Sequence, residues 1–481
     1  MRRPKAVRRM TRPAPDELLP IFAALFPDTL LKQWLQAIGV RLYWRLLTPL
    51  VMVWCLVVQR LQDDHTADAI VSYLRSGAVD HWSSRRRRRL PLSQRLTSES
   101  TSAYVQGRNR LPLALLQQAL RHVRRTLATW GQGEASLQWK GHAVRVLDGT
   151  TFRLRPFGDL AATYGQAQNQ CGTSYWVWVK SLASFCLRTQ AVVAYAETAG
   201  VHSETSLIRP VLEQEEVPNS LYLADRNLGV YQLVQVAHAF KQQVLVRLNL
   251  RVARRLLKST PRPRKRVPAG TDCRLVWTLG AKNKWDPTLP VVPVWGRLLY
   301  ARLCRPGFRP MDLYLFTSLE DAERYPLVDL VALYGERWKG EIDYRQIKQV
   351  LEMDEFDVKS AALFRKELAA GLLTYNLICA YMTKAALKAG LAPTDLSFSR
   401  CARRLRALFL YGVPKWVAPD QIEEYILDRL AKCRLPKQPN KVAHEPRQVR
   451  RRPAVYPALK GSRATARPHV KRSSKSNKRN S

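Results

Sequence analysis

Ala143-Val144-Arg145-Val146-Leu147-Asp148-Gly149 has the alternating, β-branched texture of a strand that ends in a carboxylate and a turn. Tyr175 to Leu182 and Ala191 to Glu197 read as two further strands. Ser203 then caps a helix through Leu212, and Leu221 to Ala224 forms a fourth strand running into Asp225. Val230 to Phe240 reads as helix and Gln243 to Leu248 as a fifth strand. Three strands, helix, strand, helix, strand is an α/β order with a mixed central sheet.

Working outward, residues 251–325 break this alternation. Eight Lys/Arg and no acid lie between Arg251 and Gly270. Short β-prone runs follow, at Cys273 to Thr278, Leu289 to Trp295, Leu298 to Leu303 and Asp312 to Phe316, so the segment reads as a β-rich insertion. Core packing is the preferred reading for its tryptophans, Trp277, Trp285 and Trp295. Long helices are predicted at Leu327 to Leu351 and Ala361 to Lys388. Before the first strand, Leu-rich periodic segments predict helices, among them Leu30 to Leu61, Ala67 to Gly77 and Leu111 to Trp130. The predicted organisation is a basic arm (1–13), a helical domain (14–137) whose short helices around the run Arg85 to Arg89 suit a DNA-binding module, and an α/β domain (138–390) interrupted by 251–325. A C-terminal helical segment (391–434) and a basic tail (435–481) complete it.

Composition narrows the partners. The 481 residues carry 79 Lys+Arg against 38 Asp+Glu, a formal net charge of +41, while 46% hydrophobic content is a globular value. So large an excess argues for a polyanion, with nucleic acid ahead of a membrane surface. The most apolar stretch, Leu46 to Val58, lies between Arg45 and Arg60 and contains Pro49. It is shorter than the roughly 18–20 residues a spanning helix needs, so it reads as a buried helix. The basic N-terminus has no apolar run directly behind it and does not read as a signal peptide. The eight cysteines are scattered with no C-x-x-C pair, which suits reduced thiols.

Asp148 and Asp225 each fall where an apolar strand meets a turn, and the carboxyl ends of strands are where α/β sheets expose functional groups. Two carboxylates brought together repel unless a proton or divalent cation lies between them. With no His/Cys cluster nearby, oxygen ligands favour magnesium or manganese. Taken singly, Asp-Gly is also an ordinary turn and Asp-Arg an ordinary surface pair. On the helix at 327–351, with Tyr334 at zero and about 100° per residue, Arg337 falls near 300°, Glu341 near 340° and Lys348 near 320°. One stripe thus carries an acid, an aromatic hydroxyl and two cations, with Leu330, Leu333, Ile342, Ile347 and Val350 largely off it. A solvated face can look similar, but a carboxylate flanked by Arg and Lys suits phosphodiester chemistry.

Tyr334-x2-Arg337-x3-Glu341-x6-Lys348 resembles the Y-R-E-K signature of bacterial insertion-sequence transposases with a DDE active site, the insertion sequence four group. Leu147-Asp148-Gly149-Thr150 and Ala224-Asp225-Arg226 resemble that group's two aspartate strands, and Tyr375-Asn376-Leu377 its Tyr-Asn-Leu helix. The likeness covers roughly residues 40–460. It implies an RNase H-like core with a β-rich insertion between the second aspartate and the glutamate. The gaps of 77 residues from Asp148 to Asp225 and 116 from Asp225 to Glu341 leave room for that insertion. Asn227 stands where the group often has Gly, and Asn tolerates left-handed backbone angles.

The resemblance implies a catalytic and metal-holding triad of Asp148, Asp225 and Glu341 with two Mg2+ ions, Mn2+ able to substitute. It implies that Arg337 and Lys348 grip phosphates and that Tyr334 positions the strand; Arg247 is a further candidate DNA contact, with a plain surface cation as the alternative. Cut-and-paste transposition through a hairpin, double-stranded DNA partners (terminal inverted repeats and target) and a homodimer also follow from it, as does a cytoplasmic, nucleoid-associated place in a prokaryote. No membrane partner is expected. The rival readings are a non-catalytic DNA-binding repressor or architectural protein and a nuclease without strand transfer.

Overall fold

The computed structural model describes residues 22, 25–42, 46–77, 79–80, 90–130, 137–169, 172–258, 268–280, 285–304, 310–414 and 416–435. The arm 1–13, the run Arg85 to Arg89, residues 259–267 and the tail beyond Leu435 lie outside the described residues.

The helical region opens with α1 (Asp28–Ala37), α2 (Pro49–Leu61), α3 (Ala67–Arg75), α4 (Ser102–Arg110) and α5 (Leu113–Trp130). The apolar run read as a buried helix is α2, and every one of its residues is buried. Pro49 opens α2 where a missing N–H costs nothing, and the Thr48 hydroxyl accepts from the Val51 N–H at 3.3 Å. Among the described residues, no helix is long and apolar enough to cross a membrane.

A mixed sheet follows. Its strands are β1 (Val144–Leu154), β2 (Val177–Cys186), β3 (Val192–Ala199), β4 (Leu221–Ala224) and β5 (Gln243–Arg247). Between them stand α6 (Ile208–Leu212), entered through a 3-10 turn at Glu204–Leu207, and α7 (Tyr231–Ala239). The segment 251–325 begins inside a helix, α8 (Leu250–Lys258), before β6 (Thr271–Trp277), β7 (Val294–Leu303) and β8 (Met311–Thr317). Leu289 to Trp295 and Leu298 to Leu303, read as two runs, share the single strand β7 from Val294 onward. Then come α9 (Leu327–Val350), β9 (Glu355–Phe356), α10 (Ala361–Lys388), α11 (Phe398–Tyr411) and α12 (Ile422–Ala431).

The strand order is β3-β2-β1-β4-β5-β8-β7-β6, with β9 added in parallel to the end of β1. β1 to β3 form an antiparallel meander, while β4 lies parallel to both β1 and β5. The β-rich segment therefore widens the central sheet, because β8 pairs antiparallel with β5.

Both faces of the middle strands are apolar and buried, as strands between two helix layers require. Leu147, Tyr222, Ala224 and Val246 pack with α6, α7 and α8 residues such as Val211, Val234 and Leu256. Val146, Leu223 and Leu245 pack with Leu330, Leu333 and Tyr334 of α9. A third cluster joins α1 to α5 with α10 to α12 and the far end of β1, so the N-terminal helices share a core with the C-terminal ones. Asn376 of α10 exchanges two hydrogen bonds with the backbone of Val192, at 2.7 and 2.8 Å, which satisfies part of the open edge of β3.

Candidate active site

The register of the parallel strands decides where the two aspartates meet. Val144 pairs with Leu221 and Val146 with Leu223, an offset of 77 residues that equals the separation of Asp148 and Asp225. Two steps past the last paired residues, Asp148 is therefore level with Asp225. The β4–β5 ladder pairs Ala224 with Val246, so one step beyond it Asp225 is level with Arg247. Neighbouring strands lie about 4.8 Å apart, and residues two apart share a face. Asp148 follows Val146, Asp225 follows Leu223 and Arg247 follows Leu245, so all three stand on the face that α9 covers. Both aspartates are half-buried.

Short-range chemistry holds the second aspartate. Its Oδ1 accepts from the Asn227 N–H at 2.8 Å and the Leu228 N–H at 3.1 Å, while Oδ2 accepts no hydrogen bond among the described residues. Asn227 keeps a negative φ, so the left-handed angle anticipated there is not used. The glycine that matters is Gly229: a Cβ on it would overlap the Arg247 carbonyl oxygen. From α9, the Tyr334 hydroxyl donates to the Ala224 carbonyl at 3.3 Å, immediately before Asp225. Burial pushes that hydroxyl's pKa up, against the pull of Arg337, whose guanidinium lies 5.6 Å from the ring centroid.

At the first aspartate the structure corrects the sequence reading. β1 does not end at Asp148-Gly149 but continues to Leu154, with Asp148 opposite Ala183 and Gly149 opposite Leu182. Gly149 serves close approach, since a Cβ there would overlap Oε1 of Glu204. Glu204 is a carboxylate that the sequence reading did not single out; it enters from the face opposite Asp148. Burial raises its pKa, and the charge of Asp225 raises it further, while Lys180 opposes. Tyr344 of α9 closes the other face, its hydroxyl 3.4 Å from Ser181 Oγ. Burial drives that phenol's pKa up, with Asp148 and Glu204 adding to it.

The remaining stripe residues divide. Tyr334 is fully buried and Arg337 is 4% exposed, so both face inward. Glu341 stands on α9 one turn beyond Arg337, and its side chain lies outside the described residues. Lys348, on the last turn, donates at 2.7 Å to the carbonyl of Thr151, three residues along β1 from Asp148, and pairs with Asp354 at 2.8 Å. The structure thus gathers Asp148, Asp225, Arg247 and Tyr334, with Arg337 behind Tyr334, and holds Lys348 farther along. Among the described residues, no three His, Cys, Asp or Glu groups are arranged to hold a metal, a statement that does not extend to the Glu341 side chain. Of the insertion's tryptophans only Trp277 is core; Trp285 and Trp295 are about half exposed, Trp295 beneath the Arg274 guanidinium, which corrects the packing expectation for those two.

Comparison with known proteins adds three findings. Residues 139–377 match the family described as "Transposase DDE domain". The chain is 27% identical over 430 residues to "Transposase InsG for insertion sequence element IS4" of Escherichia coli (strain K12), a match covering 86% of this chain and 88% of that one. Among solved structures, a cryo-EM structure of a piggyBac transposase synaptic complex with hairpin DNA covers 90% of this chain and 88% of that one, at 14% identity and a TM-score of 0.40.

Proposed function

Since residues 139–377 match the family described as "Transposase DDE domain", we propose that the protein is a DNA transposase that cleaves the ends of an insertion sequence and joins them to target DNA. The observation that carries this reading is the shared register of Asp148 and Asp225 just beyond the parallel pairing of β1 with β4. That pair forms the first two acids of the site in an RNase H-like core, and Glu341 supplies the third from α9.

The donor set fits a hard divalent cation. It consists of carboxylate oxygens, and one oxygen of Asp225 is already committed to its turn while the other is not. Asp148, Asp225 and Glu341 would hold Mg2+, with Mn2+ able to substitute and two ions as the complement, which supply activation of a water or DNA 3′-hydroxyl and stabilisation of the leaving oxygen. Around them the chain's own groups orient the substrate. Arg247, level with Asp225, meets the phosphate beside the cut, and Tyr334 positions the second aspartate by holding the Ala224 carbonyl. Arg337 steadies that hydroxyl from behind. Lys348 reaches DNA by exchanging Asp354 for a phosphate oxygen, a like-for-like swap of anions. The protein acts on double-stranded DNA, terminal inverted repeats and target alike, as a homodimer that holds two ends.

The test incubates the protein with a duplex bearing the inverted repeats that flank its gene, with and without Mg2+. Wild type should yield metal-dependent cleavage and joined products, and Asp148→Asn, Asp225→Asn and Glu341→Gln should each lose at least a hundredfold in rate. Identical products from wild type and variants would remove the three acids from catalysis. Cleavage without joining would leave a nuclease.

A further inference from the structure

We propose that the outer face of α8 is a seat for the sugar-phosphate backbone of duplex DNA at the site end of the sheet, an inference that rests on the DNA-acting reading above. α8 begins three residues after Arg247, which is level with Asp225. Arg251, Arg254, Arg255 and Lys258 are exposed, whereas Ala253, Leu256 and Leu257 are buried. At about 100° per residue, the four cations fall within an arc of about 100° and the three apolar residues occupy the opposite side. The stripe is about 10 Å long at 1.5 Å per residue.

This arrangement works against the helix itself. Arg251 with Arg254 and Arg255, and Lys258 with the same two arginines, are like-charge neighbours at i,i+3 and i,i+4, each unfavourable in a free helix. Arg251 also places positive charge in the first turn, against the helix dipole. Some surface cations elsewhere in this protein are matched by acids: Lys388 pairs with Glu424 and Asp428, and Arg125 with Glu216. On α8, among the described residues, Arg251, Arg254 and Lys258 pair with no acid. A polyanion laid along the stripe supplies the missing charge, and about 10 Å of B-DNA axis carries about six phosphates. The contact is to phosphates alone, so α8 contributes affinity to any duplex and no sequence preference.

The experiment measures dissociation constants for an end-containing duplex and an unrelated duplex between 50 and 200 mM salt, without divalent metal. It compares wild type, R251Q/R254Q/R255Q/K258Q and the charge-keeping R251K/R254K/R255K. At about 0.9 per phosphate, the loss of four cations in the glutamine variant should flatten the slope of log K against log salt by about 3.6, equally for both duplexes. At 50 mM it should bind at least tenfold more weakly. The lysine variant should keep the wild-type slope, and the glutamine variant should unfold no earlier than wild type. An unchanged slope in the glutamine variant overturns the proposal, and so does a lysine variant as flat as the glutamine one. A change of oligomeric state at unchanged slope would give the face to a second copy of the chain and also overturn it. Wild type that binds neither duplex would overturn the transposase reading as well, whereas failure of the variants alone leaves that reading intact.

Discussion

Glu367→Gln should cost this protein about 3–5 kcal/mol, the range for breaking a buried ion pair from one side. Glu367 sits on α10 with its side chain 2% exposed, between Arg60 of α2 and Arg108 of α4. The Arg108 contact is 2.8 Å long, and both guanidiniums are themselves largely buried. Burial alone would raise the carboxyl pKa, but the two cations outweigh it and hold it below the ordinary value. Charges about 4 Å apart at an effective dielectric of about 20 attract by about 4 kcal/mol, which agrees with that range. The amide removes the anion and leaves two arginines uncompensated in the core. Replacing all three partners, as R60M/R108M/E367L, should return stability to near wild type, because no charge then remains buried. Urea unfolding followed by far-UV circular dichroism at pH 7 measures both. The depressed carboxylate contributes stability above its unfolded pKa and loses it as pH falls through the lower folded value, so the gap between wild type and Glu367→Gln should narrow in acid. A loss below 1 kcal/mol for the single variant, or a triple variant as unstable as the single one, would refute the reasoning.

Three further outcomes follow from the same geometry. Gly229→Ala meets a backbone oxygen, which cannot step aside, so it should destabilise by about 1–3 kcal/mol in thermal unfolding; a neutral result would mean that β5 yields freely. Gly149→Ala meets only the flexible end of Glu204, so the fold should survive. It should raise the Mg2+ concentration for half-maximal cleavage by about two- to fivefold, as should Glu204→Gln, since both take one negative charge from beside Asp225; opposite shifts in the two variants would disprove the link. Glu216 is held down to about 2, chiefly by Arg125 and then by Arg124. Its stabilising share should be full above the ordinary carboxylate pKa and fade as pH falls toward 2, so Glu216→Gln should melt below wild type at pH 7 and converge with it in acid.

What could be read in advance follows the range of the interactions. The bounds of α10 are legible because a serine cap and an unbroken apolar repeat are local signals, and Ser360 Oγ does accept from Leu363 N–H at 3.2 Å. The spacing of Tyr334, Arg337, Glu341 and Lys348 is legible as one helical stripe. Its inward aspect at Tyr334 and Arg337 is not, because that depends on a carbonyl of β4 more than a hundred residues away. Asp148-Gly149 misleads for the same reason: the pair looks like a turn until Glu204 is folded against it, 55 residues on. α8 carried a local signal, a stripe at i, i+3, i+4 and i+7 over an apolar face, but the density of cations across 251–266 hid it. That the insertion's strands would join the main sheet depends on edge pairing between β5 and β8, which no local pattern encodes.

The two-residue strand β9 has a consequence out of proportion to its size. It leaves α9 and pairs with β1 at Arg153 and Leu154, so the helix bearing Glu341 is moored at its exit to the very strand that bears Asp148. At its entrance, β8 is moored to β5. Everything threaded between those moorings, from α8 through the loops of β6 and β7, is a detour whose length does not enter the spacing of the acids. The sheet edge can therefore serve as an accessory port, where segments are exchanged, lengthened or trimmed while the carboxylates stay in place.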